Sequence, residues 1–166
     1  SLVGSYANNT LGLSGVTVLT NGNYVVRNDT WNNGAATEAG AVTWCNGSTG
    51  TTGTVSSSNS LVGGTSNDNV GNSGVTALSN GHYVVISYNW DSGITSNAGA
   101  VTWGNGASGT TGIVSSANSL VGSTANDAVG NGGVLALSSG NYVVRSSNWD
   151  NGTATDAGAV AWGNGA

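Results

Sequence analysis

The sequence predicts an all-β fold built from three copies of one 59-residue unit, each forming a β-propeller-like blade of about four antiparallel strands. Three observations carry this prediction. Ser-Leu-Val-Gly begins at Ser1, Ser60 and Ser119, so the spacing is kept without an insertion. Short apolar runs alternate with Gly- and Asn-rich turns, and no segment shows a helical period. There are 29 glycines and no proline. Proline would remove ladder hydrogen bonds, whereas glycine permits tight turns and close approach of neighbouring sheets.

The repeats are 1–59, 60–118 and 119–166, the last one incomplete. In the second copy, Val75–Leu78 reads as a strand, followed by the turn Ser79-Asn80-Gly81 and a second strand, Tyr83–Ile86. Asn-Gly between apolar runs predicts a hairpin with a type I′ turn. The first copy repeats it with Asn21-Gly22, and the third uses Ser139-Gly140. A polar loop, Asn89–Gly93, leads to a third strand, Ala98–Trp103, where Gly99, Val101 and Trp103 share one face. After the turn Gly104-Asn105-Gly106, a Ser/Thr/Val-rich strand at Thr111–Ser115 runs on towards the next Ser-Leu-Val-Gly. For the third copy, Ser1–Gly4 is the expected source of the fourth strand.

Composition removes several classes of function. With 7 acidic and 2 basic residues, a net charge of −5 and a pI near 4.1, the chain offers no basic patch for nucleic acid. Coiled coils and helical bundles need far more Ala, Glu, Lys, Leu and Arg. Disorder pairs low hydrophobicity with high charge, whereas here 37% of residues are hydrophobic and 5% charged. No apolar run is long enough to span a membrane, and no signal-peptide pattern opens the chain. Cys45 is the single cysteine, so no intrachain disulfide forms; Gly104 and Gly163 hold its place in the other copies. The sequons at Asn8, Asn28, Asn46 and Asn151 matter only in a eukaryotic secretory setting.

Catalysis finds little support. His82 is the only histidine, and Asn23 and Asn141 stand in its place elsewhere, so no serine has a repeated base. Asp68 and Asp127 align with Asn9, Asp91 and Asp150 with Asn32, and Glu38 and Asp156 with Asn97. Such interchange of Asp and Asn suits turn capping by side-chain-to-backbone bonds better than acid–base chemistry. No Cys/His cluster offers a metal site, and no cofactor is expected. The tryptophans divide in two. Trp44, Trp103 and Trp162 lie within apolar strands and are expected between adjacent sheets. Trp31, Trp90 and Trp149 lie in polar loops beside Asn89, Asn148, Asp91 and Asp150. A ring for C–H surface amid amides and carboxylates for hydroxyls is the chemistry of a shallow sugar site. The competing reading makes the same rings plugs between neighbouring units.

The whole unit resembles the FG-GAP blade of integrin-α-type β-propellers, in its bacterial, secreted tandem-repeat form. Asp127-Ala128-Val129-Gly130 stands where that family has D-x-F-G, Gly140-Asn141-Tyr142-Val143-Val144 in the second strand and Gly158-Ala159-Val160-Ala161-Trp162 in the third. Val129 replaces the family's Phe. The resemblance implies an extracellular, non-enzymatic module for adhesion, scaffolding or self-assembly. It also implies that the Trp loops share a ligand-binding rim with Asp68 and Asp127. The alternative function is a multivalent lectin with one shallow site per repeat; the partners are then glycans or another surface protein. Many members hold calcium in the first hairpin, but Asn21-Gly22, Asn80-Gly81 and Ser139-Gly140 carry no acid, so calcium is not expected. Propellers take 4–8 blades. Closure therefore calls for two chains in a six-bladed ring or for a longer array. A threefold, β-trefoil-like fold is the alternative.

Overall fold

Each copy starts from the same hairpin. In the first, Val16–Val18 and Tyr24–Asn28 pair across Thr20-Asn21-Gly22, closed by Leu19 N–H to the Asn23 carbonyl at 2.8 Å and Gly22 N–H to the Leu19 carbonyl at 3.0 Å. Gly22, Gly81 and Gly140 hold φ of 86°, 91° and 87°, but Asn21 and Asn80 stay at negative φ. The turn is thus a three-residue loop with glycine alone in the left-handed region, and not the type I′ turn that Asn-Gly predicts.

A computed structural model describes residues 1–7 and 9–166; the sequon at Asn8 lies outside the described residues. In chain order the strands are β1 Leu2–Val3, β2 Val16–Val18, β3 Tyr24–Asn28, β4 Ala41–Cys45, β5 Gly53–Thr54, β6 Ser60–Val62, β7 Gly74–Ala77, β8 Tyr83–Ser87, β9 Ala100–Gly104, β10 Gly112–Ile113, β11 Ser119–Val121, β12 Val134–Ala136, β13 Tyr142–Ser146 and β14 Ala159–Gly163. No helix forms among the described residues. The all-β, three-repeat prediction describes the molecule.

The strand order shows how copies share sheets. The first sheet runs β10-β6-β4-β3-β2, the second β11-β9-β8-β7 and the third β12-β13-β14. Within each, three strands of one copy form an antiparallel meander. The fourth strand is Ser-Leu-Val from the next copy, with Val42 opposite Leu61 in the first sheet and Val101 opposite Leu120 in the second. Gly112–Ile113 then adds to β6 in parallel. The expected strand Thr111–Ser115 is therefore only two residues long, because Asn118 turns the chain by accepting from Ser115 N–H at 2.9 Å. Leu2–Val3 does not complete the third sheet as expected. It pairs in parallel with Gly53–Thr54, which lie after β4 in its own copy.

The sheets stack in sequence, and the middle one is buried on both faces. All five residues of β8 are buried. Tyr83, Val85 and Ala100 pack with Val25, Val42 and Leu61 of the first sheet, while Val84, Ile86 and Val101 pack with Tyr142 and Val144 of the third. Among the described residues no strand of the first sheet pairs with the third, so the stack closes neither a trefoil nor a propeller ring.

Candidate functional site

The loop tryptophans turn inward. Trp31 is 3% and Trp90 6% exposed, and Trp149 is half-buried. Trp31 packs with Ala41, Val55 and Val62, and Trp90 occupies the matching cluster with Leu61, Ala100 and Val114. Trp31 Nε1 donates to Ser5 Oγ at 2.9 Å. Neither Trp31 nor Trp90 presents an open ring face on which a sugar could stack. Burying such a ring against aliphatic neighbours is worth several kcal/mol, which is why a polar stretch of sequence still delivers it to the interior. Of the strand set, Trp44 and Trp103 are half-buried between sheets, whereas Trp162 is 63% exposed on the outer face of the third.

The candidate carboxylates lie beside these rings and hold loops together. Asp68 Oδ2 accepts from Gly64 and Thr65 N–H, both at 2.8 Å, and its Oδ1 accepts from Thr65 Oγ1 at 2.7 Å and Asp91 N–H at 3.2 Å. Asp127 repeats the set with Ser123, Thr124 and Asp150. Each buried carboxylate thus joins its own turn to the Trp loop, so the structure does bring these two segments together. Burial alone would push the Asp127 carboxyl up; donation from Thr124, Asp150 and Ser123 outweighs it and holds the group below the usual carboxylate range. Asp91 and Asp150 each accept through Oδ1 from the backbone N–H of Asn97 and Asp156, at 2.7 and 2.8 Å. Asn32 does the same for Glu38 at 2.8 Å, which explains why Asn serves there as well as Asp. Asn89 donates to Asn69 Oδ1 at 3.3 Å, and Asn148 Oδ1 accepts from Asn131 at 2.6 Å.

His82 is a turn acceptor. Its Nδ1 accepts from Gly106 N–H at 3.0 Å, as Asn23 and Asn141 accept from Gly47 and Gly165 at 3.0 and 3.1 Å. Cys45 is buried, and burial pushes its thiol up, away from a reactive thiolate. The glycines that hold its place in the other copies lie opposite buried tyrosine rings, Gly104 facing Tyr83 and Gly163 facing Tyr142. A Cβ on Gly104 would lie 2.2 Å from the Tyr83 ring, so glycine lets that ring fold inward. Among the described residues no three His, Cys, Asp or Glu side chains converge to hold a metal ion.

The features repeated most faithfully belong to the junction between copies. Carbonyls of Thr37, Glu38 and Ala39 accept from Asn67, Asn69 and Val70 N–H at 2.9–3.0 Å, and those of Ser96, Asn97 and Ala98 from Asn126, Ala128 and Val129 at 3.0 Å. Gly40 and Gly99 make this approach possible, since a Cβ there would sit 2.1 and 2.2 Å from Val70 and Val129 nitrogen. At the other end of the sheets, Asn21 Nδ2 donates to the Gly81 and Gly106 carbonyls, and Asn80 Nδ2 to those of Gly140 and Gly165. Sequence reasoning assigned these asparagines to turns only. Their recurrence one period apart was the available signal, but nothing local says that the amide points across to the next copy.

Fold and junction together define a tandem all-β repeat whose unit is completed by its successor. The chain belongs to a family described as a repeat of unknown function (DUF5650), matched over residues 18–72, 77–131 and 136–166. Each full match runs from the first hairpin through the following Ser-Leu-Val and Asp-x-Val-Gly segments, which is the span that forms one sheet and its junction. No curated protein and no solved structure matches the chain.

Proposed function

We propose that this chain is a non-enzymatic module of an extracellular repeat array, working in assembly and scaffolding, with sheet faces as its binding surface. One observation carries the reading. Side chains buried at both internal junctions have exposed counterparts at the ends: Val42 and Val101 are 0% and 2% exposed, while Val160, in the same place, is 74% exposed. Val16 and Val18, on the outer face of the first sheet, are 57% and 71% exposed. An apolar face of this kind favours association. The likeness to FG-GAP blades supports the same reading, because Asp68–Gly71 and Asp127–Gly130 are the segments that cross to the preceding sheet. It also supports a bacterial surface or secreted location and a role in adhesion.

The lectin alternative rests on Trp149, the least buried of the loop rings. Its surroundings, a cavity of about 240 Å³ lined by Leu120, Val129, Ser146, Ala159 and Ala161, are apolar and suit a side chain better than a sugar.

Sedimentation equilibrium tests the proposal. Association should give multiples of the 16.1 kDa chain mass that rise with concentration, and Val160→Asp should return the chain to 16.1 kDa. A monomer at every concentration would overturn the assembly role. Glycan binding by the folded monomeric variant would favour the lectin.

A further inference from the structure

The junction that forms twice inside the chain has counterparts of its two sides at β14 and at β1. Among the described residues, β14 is an edge strand of the third sheet with no fourth strand beside it. The groove above it, about 500 Å³ and lined by Gly132, Arg145, Gly158 and Val160 among others, lies where the first sheet receives Val70–Gly71. There Arg27 Nη1 donates to the Gly71 carbonyl at 2.7 Å; Arg145 is the counterpart of Arg27 and is exposed. At the N-terminal end, Leu2–Val3 is the counterpart of Leu61–Val62, and Leu11–Gly12 that of Val70–Gly71. The stretch from Thr10 to Gly15 already holds the shape of its docked counterpart. Thr10, Gly12 and Gly15 have φ of 43°, 88° and 113°, against 44°, 85° and 108° for Asn69, Gly71 and Gly74.

We propose that a second copy of this chain docks head to tail by strand complementation, its β1 adding antiparallel to β14 and its Leu11–Gly12 seating under Arg145. The inference rests on the assembly reading above and adds its register. Two internal pairings set that register: Ala41, Val42 and Thr43 face Val62, Leu61 and Ser60, and Ala100, Val101 and Thr102 face Val121, Leu120 and Ser119. By the same alignment Ala159, Val160 and Ala161 face Val3, Leu2 and Ser1 of the second copy. The docking copy brings β5 with it on β1, so the third sheet gains the fourth and fifth strands that the first sheet has. Its Thr10 and Leu11 N–H groups meet the Asp156 and Ala157 carbonyls, as Asn69 and Val70 meet Glu38 and Ala39. Backbone pairing supplies affinity and the alternating side chains supply register, as in other cases of strand addition. The contact is heterologous, so it propagates as a chain of copies unless the rotation closes a ring.

Crosslinking tests the register. The internal counterparts of Ser1 and Ala161 touch, with Thr43 Oγ1 and Ser60 Oγ 2.7 Å apart and Thr102 Oγ1 and Ser119 Oγ likewise 2.7 Å apart. Gly63 N–H bonds to the Gly40 carbonyl three residues along, so alternation makes Thr43–Ser60 a non-hydrogen-bonded pair. Such a pair sets Cα atoms about 4.5 Å apart, within disulfide reach. In a Cys45→Ala background, Ser1→Cys and Ala161→Cys variants are purified separately, mixed and oxidised. A covalent dimer of twice the 16.1 kDa chain mass is expected from this mixture and none from Leu2→Cys with Ala161→Cys, whose side chains lie on opposite faces. Equal yields from both mixtures, or a noncovalent oligomer that gives no Ser1–Ala161 crosslink, overturn this docking and leave the assembly reading standing. A chain that stays monomeric and uncrosslinked overturns both.

Discussion

Asn21 and Gly106 join the first two copies: the Asn21 amide leaves its own hairpin and donates to the Gly106 carbonyl at 2.8 Å. Asn80 and Gly165 repeat the bond at 2.7 Å. Asn80→Ala should lower stability by about 1–2 kcal/mol in urea titrations, because it removes the amide donor of the Gly140 and Gly165 carbonyls, and Asn21→Ala by no more than this, because the Gly106 carbonyl still accepts from Trp44 Nε1 and Asn23 Nδ2. The third copy has Ser139 at this position, too short to reach across. Ser139→Asn should therefore leave monomer stability within about 0.5 kcal/mol and tighten association in sedimentation runs.

Gly99 and Gly158 stand at the same place in successive copies with the same φ of 76°, but only Gly99 is covered. Gly99→Ala should cost more than about 3 kcal/mol, from left-handed strain and from a clash with the Val129 backbone. Gly158→Ala, whose nearest neighbour is the Ser147 carbonyl oxygen at 3.6 Å, should cost only the strain of about 1–2 kcal/mol. It should nevertheless abolish association, since the docked copy's Leu11 backbone would meet the new methyl. Chemical denaturation and sedimentation of both variants check the contrast.

Acid should loosen the loops that Asp127 organises. Its folded-state pKa lies below the ordinary 3.8, so ionisation stabilises the fold. That contribution is complete above 3.8 and is lost as pH falls through the lower folded value. Asp127→Asn should lower stability at neutral pH by about 1–3 kcal/mol and flatten the acid limb of a stability–pH curve.

His82→Asn should be neutral to within about 0.5 kcal/mol in thermal or urea melts. Asn23 and Asn141 make the same bond, so the imidazole is one of two side chains that satisfy one donor.

Much of the fold was legible in the sequence. The Ser-Leu-Val-Gly spacing marks the repeat, and the apolar runs around Asn21-Gly22 and Asn80-Gly81 mark the hairpins. Which copy supplies the fourth strand was not legible, because Leu2, Leu61 and Leu120 sit in near-identical local sequence. Leu61 pairs with Gly112 just as Leu2 pairs with Gly53, and only packing places Val42 on its other side. The loop set was legible as a group: Asp68 and Asp127 do adjoin the Trp loops. The orientation of Trp31 and Trp90 was hidden, because nothing in the Ser/Thr/Val-rich segments that hold Val55 and Val114 says that these valines turn onto the rings. The junction carbonyls were invisible for a different reason: they are backbone, and no side-chain pattern records them.

The most direct test of the central proposal, that β14 takes a second copy as the internal sheets take the next repeat, is amide hydrogen exchange at Val160 as protein concentration rises. By the alternation of antiparallel bonds, the Val42 and Val101 amides are the ones that bond Leu61 and Leu120. Val160 should exchange fast in dilute solution and become protected, towards the level of Val101, as the chain associates. Association with no gain in protection at Val160 would contradict the account.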